Sequence, residues 1–288
     1  MRKTTGYNSS YPKVAVQWLN QSLCFYQSLC FVDSEVLRNR HLRVAAKRYR
    51  QFLPKIRMKS LLLISIFLFS LKSIFAQEFA IVNDNDGYTN VRSENNRSSQ
   101  ILDRLNNGHL ICIMNPEGNW WNIDYSTNSY EIKVGYIYKD RFKIISEFEE
   151  IPILKENNNE IIFSKNHIEV KVSEKKFEKE KHIFEYVKNY PNQILKIDRK
   201  HFWGTDGNLP TIEYQSINIK TNNSMLQLPK ESFEDLFEPN LTNTKVNYDT
   251  NNDIIYISAM NSDSAGAYLV IWKIEKGKYK ERFIAYGF

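Results

Sequence analysis

Asp86-Gly87-Tyr88-Thr89-Asn90-Val91-Arg92-Ser93 opens the stretch that decides the fold of this 288-residue chain, and Leu105-Asn106-Asn107-Gly108 turns it. Gly118-Asn119-Trp120-Trp121-Asn122-Ile123 follows, and Val134-Gly135-Tyr136-Ile137 closes it. Trp121, Ile123 and Tyr125 fall on one face of an extended segment, and Trp120, Asn122 and Asp124 on the other, which is the alternation of a half-buried strand. Residues 110–114 are apolar at every position, as a strand covered on both sides requires. The glycines fall between these runs, where a chain reversal needs positive φ or close backbone approach, and no segment of this stretch has a helical period. Residues 77–146 therefore read as a small all-β module.

The order and spacing of these landmarks resemble a bacterial SH3 domain: Asn-Val-Arg-Ser after a glycine turn, a glycine before an apolar strand, a Trp before an aliphatic, and Gly-aromatic-aliphatic. The resemblance covers about a quarter of the chain and implies an SH3-like β-barrel whose open side binds an extended ligand on aromatic ridges. Tyr88, Arg92, Trp120 and Tyr136 are the ligand-binding residues it implies, with Asp86 and Arg92 flanking the groove.

Charge divides the chain. Residues 1–57 hold 11 Lys/Arg against 2 Asp/Glu, and residues 58–76 add Lys59 and Lys72. Of the total of 39 Lys/Arg and 33 Asp/Glu, 26 and 31 remain for residues 77–288, a net of −5. The formal +6 of the whole chain thus belongs to its first 76 residues, and a nucleic-acid partner loses its support, since phosphate binding needs cations on the folded part. Met58-Lys59-Ser60, an apolar run over 61–71 and Ala76 before Gln77 have the three-part layout of a secretory signal, although Ile74 is large for the −3 position. On this reading residues 1–57 are an upstream leader without a packed core, residues 58–76 the signal, and the remainder is secreted or periplasmic. The competing reading is a long cytoplasmic arm before a single membrane anchor. Cys24 and Cys30 lie in the leader, leaving Cys112 alone in the body, where its apolar run points to burial.

Residues 150–288 read as a second β-rich domain, a sandwich or open barrel with one short helix at 230–237, where Phe233, Leu236 and Phe237 recur at helical spacing after Pro229. Strands are expected at 151–154, 161–163, 168–172, 183–187 and 194–197, then at 214–219, 225–228, 254–259, 268–274 and 279–286. Trp203, before the Gly204-Thr205-Asp206-Gly207 loop, is expected to cover the C-terminal core. Residues 203–288 look like a C-terminal region of exported Gram-negative proteins, which implies an address and no chemistry.

The candidate catalytic constellations are sparse. Asp84 and Asp86 fail as a calcium loop because Val82 and Ser93 would occupy positions one and twelve, and Asp249, Asn251 and Asp253 fail because Ile254 and Met260 replace the glycine and the bidentate acid. No zinc-peptidase spacing and no Gly-x-Ser-x-Gly elbow occurs, so neither metal nor cofactor is expected. Asp206 and Asp263 are the pair to examine for acid/base work. Two functions follow: a non-enzymatic binding protein for cell-wall peptide, glycan or a protein segment, or a cell-envelope hydrolase with its site at Asp206 and Asp263. A protein that blocks another protein is a variant of the first. N-terminal sequencing of the expressed protein is expected to begin at Gln77.

Overall fold

The computed structural model describes residues 77–287, apart from 129, 130 and 223; residues 1–76, where a leader and a signal are expected, lie outside the described residues. The chain is all-β. Among the described residues nineteen antiparallel strands fall into four sheets, and the helical elements are 3-10 turns of three residues.

The first sheet contains β1 (Glu78–Val82), β2 (Tyr88–Arg92), β3 (Ile101–Asn106), β4 (Leu110–Glu117), β5 (Trp120–Tyr125), β6 (Lys133–Tyr138) and β7 (Phe142–Ile144), in the order β3-β2-β6-β5-β4-β1-β7. One cluster collects Val82, Val91, Leu105, Ile111, Ile123 and Ile137, with Trp121, Phe142 and Ile144 packed against it. Side chains from all seven strands meet there. A single layer brings that about only by curling around them. Gly135 is needed at the tightest point, because a Cβ there would lie 2.3 Å from the Val91 side chain.

The boundary acids at 147–150 include a strand, β8 (Glu149–Glu150), at the edge of another sheet. That sheet also holds β16 (Thr244–Asp249), β17 (Ile254–Asn261), β18 (Tyr268–Glu275) and β19 (Lys278–Tyr286), in the order β19-β18-β17-β16-β8. Between β8 and β16 in sequence lie β9 (Ile153–Asn157), β10 (Glu160–Lys165), β11 (Ile168–Lys176), β14 (Ile212–Lys220) and β15 (Met225–Gln227), which pair in the order β15-β14-β11-β10-β9. A separate hairpin is formed by β12 (Phe184–Val187) and β13 (Tyr190–Ile197).

The β16–β19 sheet is buried on both faces. Ile255, Ile257, Val270 and Trp272 point to one side and pack with Ile161, Phe163, Val170 and Ile217 of the β9–β15 sheet. Tyr256, Leu269 and Ile271 point to the other and pack with Phe79, Ile81, Leu110 and Cys112 of the curled sheet. The alternation of β1 and β4 is therefore apolar in both phases: Phe79, Ile81, Leu110 and Cys112 face the central sheet, and Ala80, Val82, Ile111 and Ile113 face their own core. Cys112 is free and fully buried, and burial raises its thiol pKa far above the ordinary value, with Asp124 adding to the effect.

The helix expected at 230–237 is absent. Only a 3-10 turn forms, at Lys230–Ser232. In an α-helix the Ser232 carbonyl would accept the amide of Leu236; here it accepts Trp272 Nε1–H at 2.8 Å and Arg282 Nη1–H at 2.9 Å, and Leu236 N–H turns to Phe233 O. Phe237 N–H goes to Trp203 O. The apolar spacing is real, but tertiary partners take the backbone groups a helix would use. The strand expected at 151–154 begins only at Ile153, because Ile151 still follows the β8 edge, where Glu150 stands opposite Asn247 and Ile151 N–H donates to Val246 O at 2.9 Å. Trp203 is half-buried against the C-terminal core, its ring 5.0 Å from that of Tyr286. Trp272 carries more: it is fully buried and its N–H is satisfied. Trp272→Ala is expected to lower unfolding stability by about 3–5 kcal/mol in urea melts.

Candidate functional site

The residues expected to bind ligand lie on the outward face of the curled sheet. Along β2, Tyr88, Asn90 and Arg92 point outward while Thr89 and Val91 are buried. Arg92 stands opposite Tyr136, Tyr136 opposite Asn122, and Trp120 opposite Tyr138. Opposed residues in antiparallel strands share a face, so Arg92, Tyr136, Asn122, Tyr138 and Trp120 form one continuous outward surface across β2, β6 and β5. Tyr88 shares the face but sits at the far end of β2, where the Arg104 guanidinium lies 3.2 Å from its ring centroid.

Local contacts hold these side chains. Arg92 Nη1–H donates to Ser99 O at 2.7 Å, and the Tyr136 hydroxyl donates to Glu117 Oε1 at 3.3 Å. The Trp120 ring meets Tyr138 edge-on with centroids 5.4 Å apart. Asp86 is part of a different cluster: Arg141 lies 2.6 Å from Asp84 and 3.8 Å from Asp86. Asp84 is buried, which would raise its pKa, but the Asp86 amide and the Arg141 guanidinium outweigh that and hold it below the usual range. The Asp84 carboxylate caps a turn by accepting the Asp86 amide at 2.9 Å, the turn role left once the calcium register fails.

Two residues on the same face are more buried than strand alternation alone reveals. Asn122 Oδ1, between Trp120 and Tyr136, is buried without a hydrogen-bond partner. Asp124, expected to point into solvent, is only 5 % exposed. It sits opposite Cys112 on one side and Val134 on the other, so the apolar packing that covers Cys112 shields it as well. Burial raises its pKa to about 6.

A second concave region lies in the C-terminal half. Three loops, 204–208, 238–242 and 262–266, enclose a cleft of about 1170 Å³ with the β9–β10 turn and Glu174. Asp206 and Asp263 both line it, and Glu156, Glu174 and Glu238 join them. The loops are stitched by their backbones: Ser262 N–H donates to Glu238 O at 3.0 Å, and Ser262 Oγ–H to Gly204 O at 2.6 Å. Gly204 must be glycine, since φ is +108° and a Cβ would fall 2.2 Å from Phe237 O. The carboxylates differ in setting. The Thr211 hydroxyl donates to Glu238 at 2.9 Å, whereas Glu174 has no such donor, and its burial followed by the nearby Glu238 charge raises its pKa. Sequence reasoning named Asp206 and Asp263 from their glycine neighbours and missed the three glutamates, which come from strands and a turn far apart in the chain.

His182 is satisfied by carboxylates, with Nδ1 2.7 Å from Asp198 Oδ2, and it stacks on Phe177. Among the described residues no group of three or more His, Cys, Asp or Glu is placed to hold a metal ion. Comparison with family models, curated proteins and solved structures found no match for this chain.

The raised pKa of Asp124 has a definite sign. Its folded value of about 6 exceeds the reference 3.8, so between these values the folded state keeps a proton that the unfolded chain releases, and stability falls as pH rises from about 4 to 6. Asp124→Asn is expected to stabilise the fold by roughly 1–3 kcal/mol at pH 7, with no gain below about pH 4. Thermal melts of both proteins across that range check it.

Proposed function

We propose that this chain is an exported, non-enzymatic binding protein whose SH3-like module, residues 77–146, holds an extended cell-wall peptide, a glycan or a protein segment against its aromatic face. The observation that carries this reading is the alignment of Arg92, Tyr136 and Trp120 on one outward surface of three adjoining strands, around the unpartnered Asn122 acceptor. Half-buried aromatics offer contact area at low entropic cost and stack on peptide planes or sugar faces, while Arg92 supplies a charge. The signal-like segment at 58–76 supports a periplasmic or secreted location. A nucleic-acid partner is disfavoured by the net −5 of residues 77–288.

Trp120 and Trp121 separate binding from stability. Trp121 packs on the core with Phe142, ring centroids 5.7 Å apart, whereas Trp120 touches Tyr138 at the surface. Trp121→Ala is expected to cost about 3 kcal/mol, the low end for a core aromatic because the ring is half-buried. Trp120→Ala should cost only about 1 kcal/mol yet lower retention on purified cell wall or on an envelope-extract partner. Equal melting of the two variants, or full retention by Trp120→Ala, removes the face from consideration.

The placement of Asp206 and Asp263 in one cleft favours a second reading, a cell-envelope hydrolase. Under it, purified wall is cleaved by the native protein, and Asp206→Asn and Asp263→Asn each abolish product release. Without cleavage by the native protein the binding reading stands alone.

A further inference from the structure

The edge of the β9–β15 sheet bears on a different partner. β9 pairs with β10 on one side and with nothing on the other among the described residues, and its five side chains are all exposed. Ile153 is 49 % and Leu154 65 % exposed, so the strand Ile153-Leu154-Lys155-Glu156-Asn157 opens on two exposed apolar residues and leaves a free row of backbone donors and acceptors. Such an edge is a template for one more strand. It also borders the acidic cleft. Glu156 stands opposite the buried Ile161 and so faces the side of the sheet that packs in the sandwich, and Glu156 and Asn157 line the cleft itself.

The cleft defines the charge of the occupant. Five carboxylates line it and no Lys or Arg does. Glu238 is met by Thr211, but the side chains of Glu156, Glu174, Asp206 and Asp263 have no cationic or hydrogen-bonding partner among the described residues. Carboxylates gathered in one cleft without a cation set up a negative potential that attracts cations. Each second residue of a strand added to β9 would point to the sandwich side, the side on which Glu156 and the cleft lie. A smaller hollow of about 360 Å³, lined by Tyr190 and Pro191, shares Asp206 and Asn208 with the cleft and continues the path for a longer segment.

We infer that β9 and the adjoining cleft dock an extended segment of a partner protein that carries Lys or Arg at alternate positions, with backbone pairing to β9 and cationic side chains among the cleft carboxylates. This surface is separate from the aromatic face at Trp120 and does not rest on the reading given to that face.

A fluorescently labelled heptapeptide of alternating lysine and valine, titrated into the native protein at low salt with anisotropy as readout, tests it. Binding should weaken at least about tenfold when glutamate replaces each lysine. It should weaken comparably when alternate peptide amides are N-methylated, which blocks strand pairing and leaves every charge in place. Glu156→Lys, at an exposed position, should reproduce the loss without a change in melting. Equal binding of the lysine and glutamate peptides overturns the inference, and equal binding of the N-methylated peptide overturns it by reducing the site to charge attraction alone. Concentration-dependent pairing of the protein through β9, seen by sedimentation and abolished at Glu156→Lys, also overturns it by making a second copy the occupant.

Discussion

Double burial of the β16–β19 sheet is the constraint on which the rest of the structure depends. A strand with apolar residues in both phases has to be covered twice, and β18 is buried along Tyr268 to Ile274. The β9–β15 sheet covers one side and the curled N-terminal sheet covers the other. The one cation in that run, Lys273, is 8 % exposed, and it is tolerated because Nζ–H donates to Gly108 O at 2.9 Å while Glu281 lies 3.5 Å away. An unpaired buried ammonium would be strongly destabilising. Its partner carbonyl belongs to the turn between β3 and β4, so the N-terminal sheet contributes a polar contact as well as an apolar one.

This arrangement decides which surfaces remain for ligands. The curled sheet presents β1 and β4 to the central sheet, which leaves β2, β6 and the start of β5 outward, with Arg92, Tyr136 and Trp120 on that face. Going along β5 from Trp120 through Asn122 to Asp124, the same face passes from half-exposed to buried. Asp124 is thus a carboxyl placed where the cover begins, and its raised pKa is a consequence of the packing between the two sheets rather than of a charged neighbour.

At the far side of the central sheet, loops rather than strands shape the surface. Glu238 and Ser262 both adopt positive φ, of 51° and 59°, and Ser262 bonds back to Glu238 and Gly204. Backbone in such regions persists only when the surroundings over-determine it. Beneath, Asn261 is fully buried and joins Asn240 N–H to the Tyr214 hydroxyl, which ties the loop bases to the core. The cleft carboxylates are therefore carried on braced supports.

Much of the fold is legible in the sequence, because strand alternation is a local property. The inward placing of Trp121, Ile123 and Tyr125, the apolar run at 110–114 and the burial of Cys112 all follow from side-chain order alone, as do the turn roles of Asp84 and Asp249. The outward position of Trp120 follows from the same alternation, whereas Tyr88, Arg92 and Tyr136 were named from the SH3 resemblance and their places on that face come from strand pairing. What the order of residues does not contain is which sheet covers which. Asp124 alternates with Ile123 as an exposed residue should, and only the approach of the central sheet buries it. Residues 230–237 have helical spacing, and only Trp272 and Arg282, some forty and fifty residues later, capture the Ser232 carbonyl and leave a turn in place of a helix. The acidic cleft is likewise a product of tertiary structure: Glu156, Glu174, Asp206, Glu238 and Asp263 come from a strand edge, a strand and three loops, and their electrostatic character exists only once the sandwich has closed.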